Sequence, residues 1–244
     1  MTDRPESGGE GFPPSPLLLN SFSHYLALRK VPLMSLFIFP VASLASQIIV
    51  VIAAARTFRN LPVGMKVLAS YFAFSLVLAL LQMILALNRI HNLWTSQFSL
   101  PVEFTLLALV FFYSGQDPWL RKILFVLILL FVTVWTSSIL LIGLERTSYP
   151  YFKTATSVVL VLVSCYILTK VAAGQSEGIL THGIFWVAGA TVIYFGGTIV
   201  LFSLSGSIFK SSLLTMRLAW SMQSVLNVVA NLIYMRGFLC FRPK

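Results

Sequence analysis

Long runs of apolar residues, separated by short polar segments, occupy most of the sequence. Seven of these runs meet or approach the length of about 20 residues that a helix needs to cross the hydrocarbon core of a membrane. They cover roughly residues 33–55, 63–87, 94–113, 119–142, 154–173, 183–204 and 213–238. The links between them are short, so consecutive helices must be antiparallel neighbours. The pattern predicts an all-α fold, a polytopic membrane bundle of about seven transmembrane helices.

The two ends of the sequence differ from this central region. Residues 1–16 are rich in Glu, Gly, Pro and Ser and lack the basic start and short apolar core of a signal peptide, so we expect a disordered tail. Residues 17–240 are predicted to form the seven-helix transmembrane domain, with 17–30 lying in the membrane interface or extending the first helix. Residues 241–244 form a short basic tail.

Composition supports a membrane environment and argues against a soluble fold. The chain is 58% hydrophobic and 10% charged, whereas soluble domains carry about 25% charged residues. Its net charge of +10 comes from bases at the ends of apolar runs, such as Arg56 and Arg59. This distribution fits anionic lipid headgroups better than a nucleic acid. We therefore expect membrane lipids as partners and no nucleic acid.

The basic residues near the helix ends also bear on orientation. Seven of them, Lys153 included, fall on the side of the N-terminus and nine on the other side. Cytoplasmic loops carry the excess of Lys and Arg. The small difference predicts that the N-terminus is outside and the C-terminus is cytoplasmic.

Glu103 is the one acidic residue inside a predicted span. It follows Pro101 in the third run and lies about 10–15 Å below the outer end of that helix, at a rise of 1.5 Å per residue. Ionisable groups are costly in a membrane, so Glu103 is a candidate functional residue. No clear partner for it appears in the sequence. His91, near the outer surface, is a candidate for pairing with Glu103 or for ligand binding, and also for a simple interfacial position beside Trp94.

The seventh run carries a polar stripe at steps of three or four residues, formed by Trp220, Gln223, Asn227, Asn231 and Tyr234. This spacing places all five side chains on one helix face, which we expect to point inward. The stripe has two interpretations. It lines a site, or it only holds the bundle together through interhelical hydrogen bonds of about 0.6 kcal/mol each.

Polar residues of other runs fall at compatible depths. Tyr71, Ser75 and Gln82 share a face of the second helix, and Tyr194 lies in the sixth. Four helices therefore bring polar groups to the outer half of the bilayer, where they are predicted to line a cavity open to the outside. The candidate ligand-binding residues are Gln82, His91, Asn92, Trp94, Glu103, Tyr194, Gln223, Asn227 and Asn231.

Several chemistries are disfavoured. The seventh helix has no lysine between Arg217 and Arg236, which argues against a covalent retinal protein. The three histidines, at positions 24, 91 and 182, cannot easily gather into one metal or haem site. No nucleophile motif or phosphate loop appears. We expect no cofactor, no metal and no assignable catalytic residue, and an enzyme is the less favoured class.

Three parts of the sequence carry a resemblance. They are Asn92–Trp94 with Pro101–Phe104, then Phe185–Trp186 with Tyr194–Gly196, and the asparagine-bearing last helix. Together they resemble a group of bacterial seven-helix integral membrane proteins of unassigned function, which are sensor-like and lack an output domain. The resemblance implies a multi-pass protein of the bacterial inner (cytoplasmic) membrane.

Three hypotheses follow. The leading one is a sensory or ligand-binding module that binds a small amphiphile or lipid in the outer polar cavity and signals through a cytoplasmic partner. The second is an intramembrane enzyme that acts on a lipid or isoprenoid, with Glu103 as acid or base. The third is a structural subunit of a membrane protein complex, in which the amide stripe serves packing.

Overall fold

The computed structural model describes residues 33–88, 90, 92–115, 117–143, 149–174, 178–204 and 213–241. Within these ranges the fold is all-α, as predicted. The helices are α1 (Leu33–Thr57), α2 (Val63–Leu87), α3 (Leu93–Ser114), α4 (Pro118–Ile142), α5 (Tyr149–Gly174), α6 (Gly183–Ser203) and α7 (Leu213–Leu239), with short 3-10 turns at Phe58–Asn60 and Ile179–Thr181. The predicted disordered tail, 1–16, the segment 17–30 and residues 242–244 lie outside the described residues.

All seven helices are long and apolar enough to cross a membrane. Their apolar segments contain 21–26 residues, with mean hydropathies between 1.2 and 2.6. At 1.5 Å per residue, such segments span about 30–40 Å, which covers the hydrocarbon core of a bilayer. The fold is therefore that of a multi-pass integral membrane protein.

The start of α5 differs from the sequence prediction. The helix begins at Tyr149, five residues before the predicted start at Thr154. Pro150 lies in its first turn, where proline is tolerated because the first amide groups of a helix have no partner within it. Lys153, expected to flank the span, thus lies one turn inside the helix.

By residue contacts, the chain divides into two compact units, Met1–Ile38 and Phe39–Lys244. Of the first unit, the structure describes only 33–38, which are the first residues of α1. The second unit contains the remainder of α1 and the six other helices. Every contact discussed below lies within this second unit.

Within the second unit, consecutive helices pack most extensively: α5 on α6, α6 on α7, and α2 on α3. Two glycines allow α6 and α7 to approach closely. A Cβ added at Gly183 would lie 2.8 Å from the backbone oxygen of Gly237, and one added at Gly237 would lie 3.1 Å from that of Gly183. The α4 helix packs mainly on α3 and leaves most of its surface exposed.

The polar stripe of α7 faces its neighbouring helices except at Trp220, which is 53% exposed and not buried as predicted. Asn231 and Tyr234 are 2% and 3% exposed, which confirms the predicted inward orientation for these two residues. Asn227 donates to the Ser43 hydroxyl at 2.6 Å, and Asn231 donates to the Ser46 hydroxyl at 2.8 Å. The Tyr234 and Thr191 hydroxyls lie 2.8 Å apart, within hydrogen-bond distance. Part of the stripe therefore holds α7 against α1 and α6.

Candidate functional site

An ion pair between α3 and α5 lies at the centre of the site. The Lys153 Nζ atom donates to the Glu103 Oε2 atom at 2.6 Å. The Lys153 side chain is 5% exposed and that of Glu103 is 14% exposed. Tyr71 of α2 donates a long hydrogen bond, at 3.5 Å, to the other carboxylate oxygen. The expectation that Glu103 has no clear partner is therefore wrong.

The position of Lys153 also corrects the count of flanking bases. Lys153 is buried because α5 starts early and carries it below the helix end. Without it, six bases remain on the side of the N-terminus against nine on the other side. The corrected count favours the predicted orientation more than the original count did. The orientation stays a prediction.

Aromatic rings surround the lysine end of the pair. The Nζ atom of Lys153 lies 5.2 Å from the ring centre of Phe195 and 6.0 Å from that of Tyr194, both on α6. The negative faces of such rings attract a cation, most strongly where water is excluded. The ammonium group is therefore held by a carboxylate on α3 and by two rings on α6.

The ion pair borders a cavity of about 240 Å³. Side chains from α1, α2, α3, α5, α6 and α7 line it, and among the described residues α4 contributes none. The polar and amphipathic lining residues are Gln47, Tyr71, Ser75, Gln82, Ser96, Ser99, Glu103, Tyr149, Lys153, Tyr194, Trp220, Gln223 and Asn227. Counted along the helices, these residues extend from the face at which α3, α5 and α7 begin to about 24 Å below it.

Five of the nine candidate residues predicted from sequence line this cavity: Gln82, Glu103, Tyr194, Gln223 and Asn227. They share it because polar positions at similar depth on α2, α3, α6 and α7 face one another across the bundle. The grouping follows from helix spacing.

The other four candidates are placed differently. Asn92 donates to the backbone oxygen of Gln82 at 3.4 Å and so joins the ends of α2 and α3. The amide group of Asn231 is engaged in its hydrogen bond to the Ser46 hydroxyl. Trp94 is 42% exposed and packs edge-on against Phe98, away from the cavity lining. His91 lies outside the described residues.

Three glutamines and asparagines of the cavity wall are fixed by protein partners. The Gln82 amide group donates to the Thr95 and Ser96 hydroxyls at 3.0 and 3.1 Å. The Gln223 amide group donates to the Thr198 hydroxyl at 3.3 Å, and Asn227 donates to Ser43 as described. These bonds fix the geometry of the wall, since a satisfied buried amide is costly to reorient.

Two amide oxygens of the lining have no hydrogen-bond partner among the residues that the structure describes. They belong to Gln47 and Gln223, and both atoms are buried. Gln47 is only 8% exposed as a whole residue. Each buried acceptor without a donor costs roughly 1–3 kcal/mol. The cavity wall therefore has unused capacity to accept hydrogen bonds.

Sequence reasoning missed Gln47, Tyr149 and Lys153 as lining residues. A signal existed for each of them. Gln47 is the one amide side chain in the first apolar run, and Pro150 is a residue favoured in the first turn of a helix. Reading Pro150 as a helix start would have placed Tyr149 and Lys153 within the fifth span.

A second polar cluster lies where α4 begins and α5 ends. Tyr166 donates to the Asp117 carboxylate at 2.7 Å, and the Lys170 ammonium lies 3.5 Å from the same oxygen. The hydrogen bond from Tyr166, with a smaller effect of the Lys170 charge, lowers the pKa of the Asp117 carboxyl. This cluster borders a cavity of about 410 Å³ and ties the start of α4 to α5.

Comparison of the chain with models of protein families, with curated proteins and with solved structures finds no match.

Proposed function

We propose that this membrane protein binds the polar head of a small amphiphile or lipid in the cavity beside Glu103 and Lys153, and that it has a sensory role. The observation that carries the proposal is the ion pair at the edge of this polar cavity, with Glu103 14% exposed. Binding at this position would place the head against the ion pair and leave the apolar tail among the helices or in lipid.

The arrangement is energetically unfavourable if it serves only the fold. Taking two charges out of water costs several kcal/mol per ion, and well-packed apolar residues of similar volume often stabilise a protein as well or better. Ionisable residues in membrane spans commonly mark binding sites or ion pathways. The two unpartnered amide oxygens add a further cost that a bound head would remove.

The sensory part of the proposal rests on how the cavity is built. Its wall combines side chains of six helices, so a bound head contacts elements that continue to the opposite face of the bundle. A partner protein at that opposite face would then detect a shift of one wall of the cavity relative to another. A ligand changes such an equilibrium only by its difference in affinity for the two arrangements.

The proposal is tested by filling the cavity. Ser75 on α2 lines it, and Ser70 on the same helix is exposed elsewhere. We expect Ser75→Trp to abolish the retention of co-purifying amphiphile detected by native mass spectrometry, and Ser70→Trp to leave it unchanged. Equal retention by the wild-type protein and Ser75→Trp, with the two variants equally stable to heat, would overturn the proposal.

One observation favours a second candidate, an intramembrane enzyme acting on a lipid or isoprenoid. The Lys153 ammonium lies within hydrogen-bond distance of the Glu103 carboxylate, so the cavity contains an adjacent acid and base. Such pairs transfer protons in catalysis. Lipid profiles of membranes containing the wild-type protein or Glu103→Gln test this candidate. A product present only with the wild-type protein supports it, and identical profiles contradict it.

A further inference from the structure

We infer that the head bound in this cavity is uncharged and rich in hydrogen-bond donors, as a glycerol or monosaccharide head is. This inference rests on the proposed function, because it specifies the chemistry of the ligand in the same cavity. Three independent properties of the wall support it: its charge balance, its unused hydrogen-bonding capacity and its size.

The charge balance excludes a head with a net charge. Among the described residues that line the cavity, Glu103 and Lys153 are the charged ones, and they neutralise one another at 2.6 Å. A cationic head would compete with Lys153 for the carboxylate, and an anionic head would compete with Glu103 for the ammonium. Either would leave one buried charge without a counterion, which is strongly unfavourable.

Several donors of the wall are engaged. The amide nitrogens of Gln82, Gln223 and Asn227 each donate to a serine or threonine hydroxyl. The Lys153 ammonium and the Tyr71 hydroxyl donate to Glu103. An acceptor group of a bound head that took one of these donors would have to displace its present bond. A head that brings donors would leave them in place.

Two buried groups of the wall that remain unused are acceptors. The Thr198 hydroxyl donates to the backbone oxygen of Tyr194, so it has only lone pairs to offer Gln223. The Gln223 amide must therefore turn its NH2 group to Thr198 and its oxygen away. That oxygen and the oxygen of Gln47 have no donor. Both residues line the cavity, so a donor on a bound head can approach these oxygens while the Gln223 amide group keeps its bond to Thr198.

The size of the cavity limits the head to a few hydroxyl-bearing carbons. A volume of about 240 Å³ is below the roughly 300–1,000 Å³ of pockets that enclose drug-sized ligands. It equals the volume of about eight water molecules at roughly 30 Å³ each. A glycerol or single sugar head fits this space, whereas an oligosaccharide does not.

The test compares amphiphiles of one chain length that differ only in the head. The full-length protein in phosphatidylcholine nanodiscs is incubated with monodecanoylglycerol, decyl sulfate, decyltrimethylammonium or methyl decanoate. Bound amphiphile is measured by native mass spectrometry, with Ser75→Trp as the background. We expect monodecanoylglycerol to bind about tenfold more tightly than each of the others, a difference of about 1.4 kcal/mol.

Substitutions of Gln47 and Gln223 test whether binding depends on their two amide oxygens. Gln47→Met and Gln223→Met should each weaken the binding of monodecanoylglycerol about tenfold. Gln97→Met is the matched control, because the Gln97 amide oxygen is also buried and unpartnered but Gln97 does not line the cavity. It should leave binding unchanged.

The possible results distinguish a failure of the uncharged, donor-rich head from a failure of the binding site itself. Tighter binding of decyl sulfate or decyltrimethylammonium, above the Ser75→Trp background, overturns the uncharged head but supports the binding site. Equal binding of methyl decanoate and monodecanoylglycerol overturns the need for donors. Binding of all four at background level overturns the inference and the binding site together.

Discussion

Glu103 is the more accessible member of its ion pair with Lys153: 14% of its side chain is exposed, against 5% for the lysine. This asymmetry predicts unequal effects of removing either charge. Glu103→Gln leaves the more deeply buried ammonium without a counterion and should cost about 3–5 kcal/mol of stability. Lys153→Met leaves a carboxylate that borders the cavity, and should cost less.

The double variant Glu103→Gln/Lys153→Met checks that interpretation. It removes both charges, so its stability should return towards that of the wild-type protein. Unfolding in mixed micelles gives all four free energies of unfolding. A Glu103→Gln variant as stable as the wild type would contradict a buried, charged pair.

The two amide-to-serine bonds between α7 and α1 predict modest losses. Asn231→Leu removes the bond to Ser46 and should cost about 0.6 kcal/mol, with an upper range of about 1.7 kcal/mol. Asn227→Leu should cost a similar amount through Ser43. Ser224→Ala is the control, since Ser224 bonds only to the backbone of its own helix. Equal stability of Asn231→Leu and Ser224→Ala would show that these bonds contribute nothing to the packing of α1.

The close approach of α6 and α7 predicts opposite effects for two glycines of the same helix. Gly183→Ala places a methyl group against the Gly237 backbone and the Phe241 ring, and should cost about 1–3 kcal/mol. A Cβ at Gly189 meets nothing within 4 Å, so Gly189→Ala should be neutral or stabilising by up to about 1 kcal/mol. Thermal unfolding of the two variants measures the difference, and a neutral Gly183→Ala would contradict the contact.

The Asp117 cluster predicts a pH dependence at the acidic end. Its hydrogen bond from Tyr166 lowers the pKa of the folded carboxyl below the usual value of about 3.9. The stabilisation is therefore complete above that value and is lost as the pH falls through the lowered pKa.

Thermal unfolding measured between neutral and strongly acidic pH tests this. Tyr166→Phe should reduce the loss of stability on acidification, because the hydrogen bond that lowers the pKa is gone. Tyr113→Phe, at an exposed tyrosine of α3, should behave as the wild type. The same acid-side loss in Tyr166→Phe and the wild type would show that the bond has no role in it.

Most of the fold could be predicted from the sequence because a bilayer imposes a length on each apolar run. Six of the seven starts agree with the prediction to within two residues. The remaining helix, α5, begins five residues before its predicted start, because Tyr149–Lys153 has the composition of an interfacial segment. A helix start depends on local capping and on proline position, which hydropathy does not report.

The site was predictable only in part, for a different reason. Spacing along one helix shows which side chains share a face, and depth shows which helices bring polar groups to one level. Neither shows which residues meet. Lys153 looked like a flanking base, and its pairing with Glu103 depends on how α5 packs against α3. Asn231 fits the spacing of the stripe, but its amide group donates to the Ser46 hydroxyl. Helix periodicity does not reveal that bond.

The separation of Glu103 and Lys153 by 50 residues has a consequence for biogenesis. In a chain inserted while it is being synthesised, α3 is complete well before α5 exists. At about 5–20 residues per second, the carboxyl group waits roughly 3–10 seconds for its ammonium partner. During that interval it must reach water or stay within the insertion machinery. Insertion of α5 is therefore the step that stabilises α3 in the bilayer.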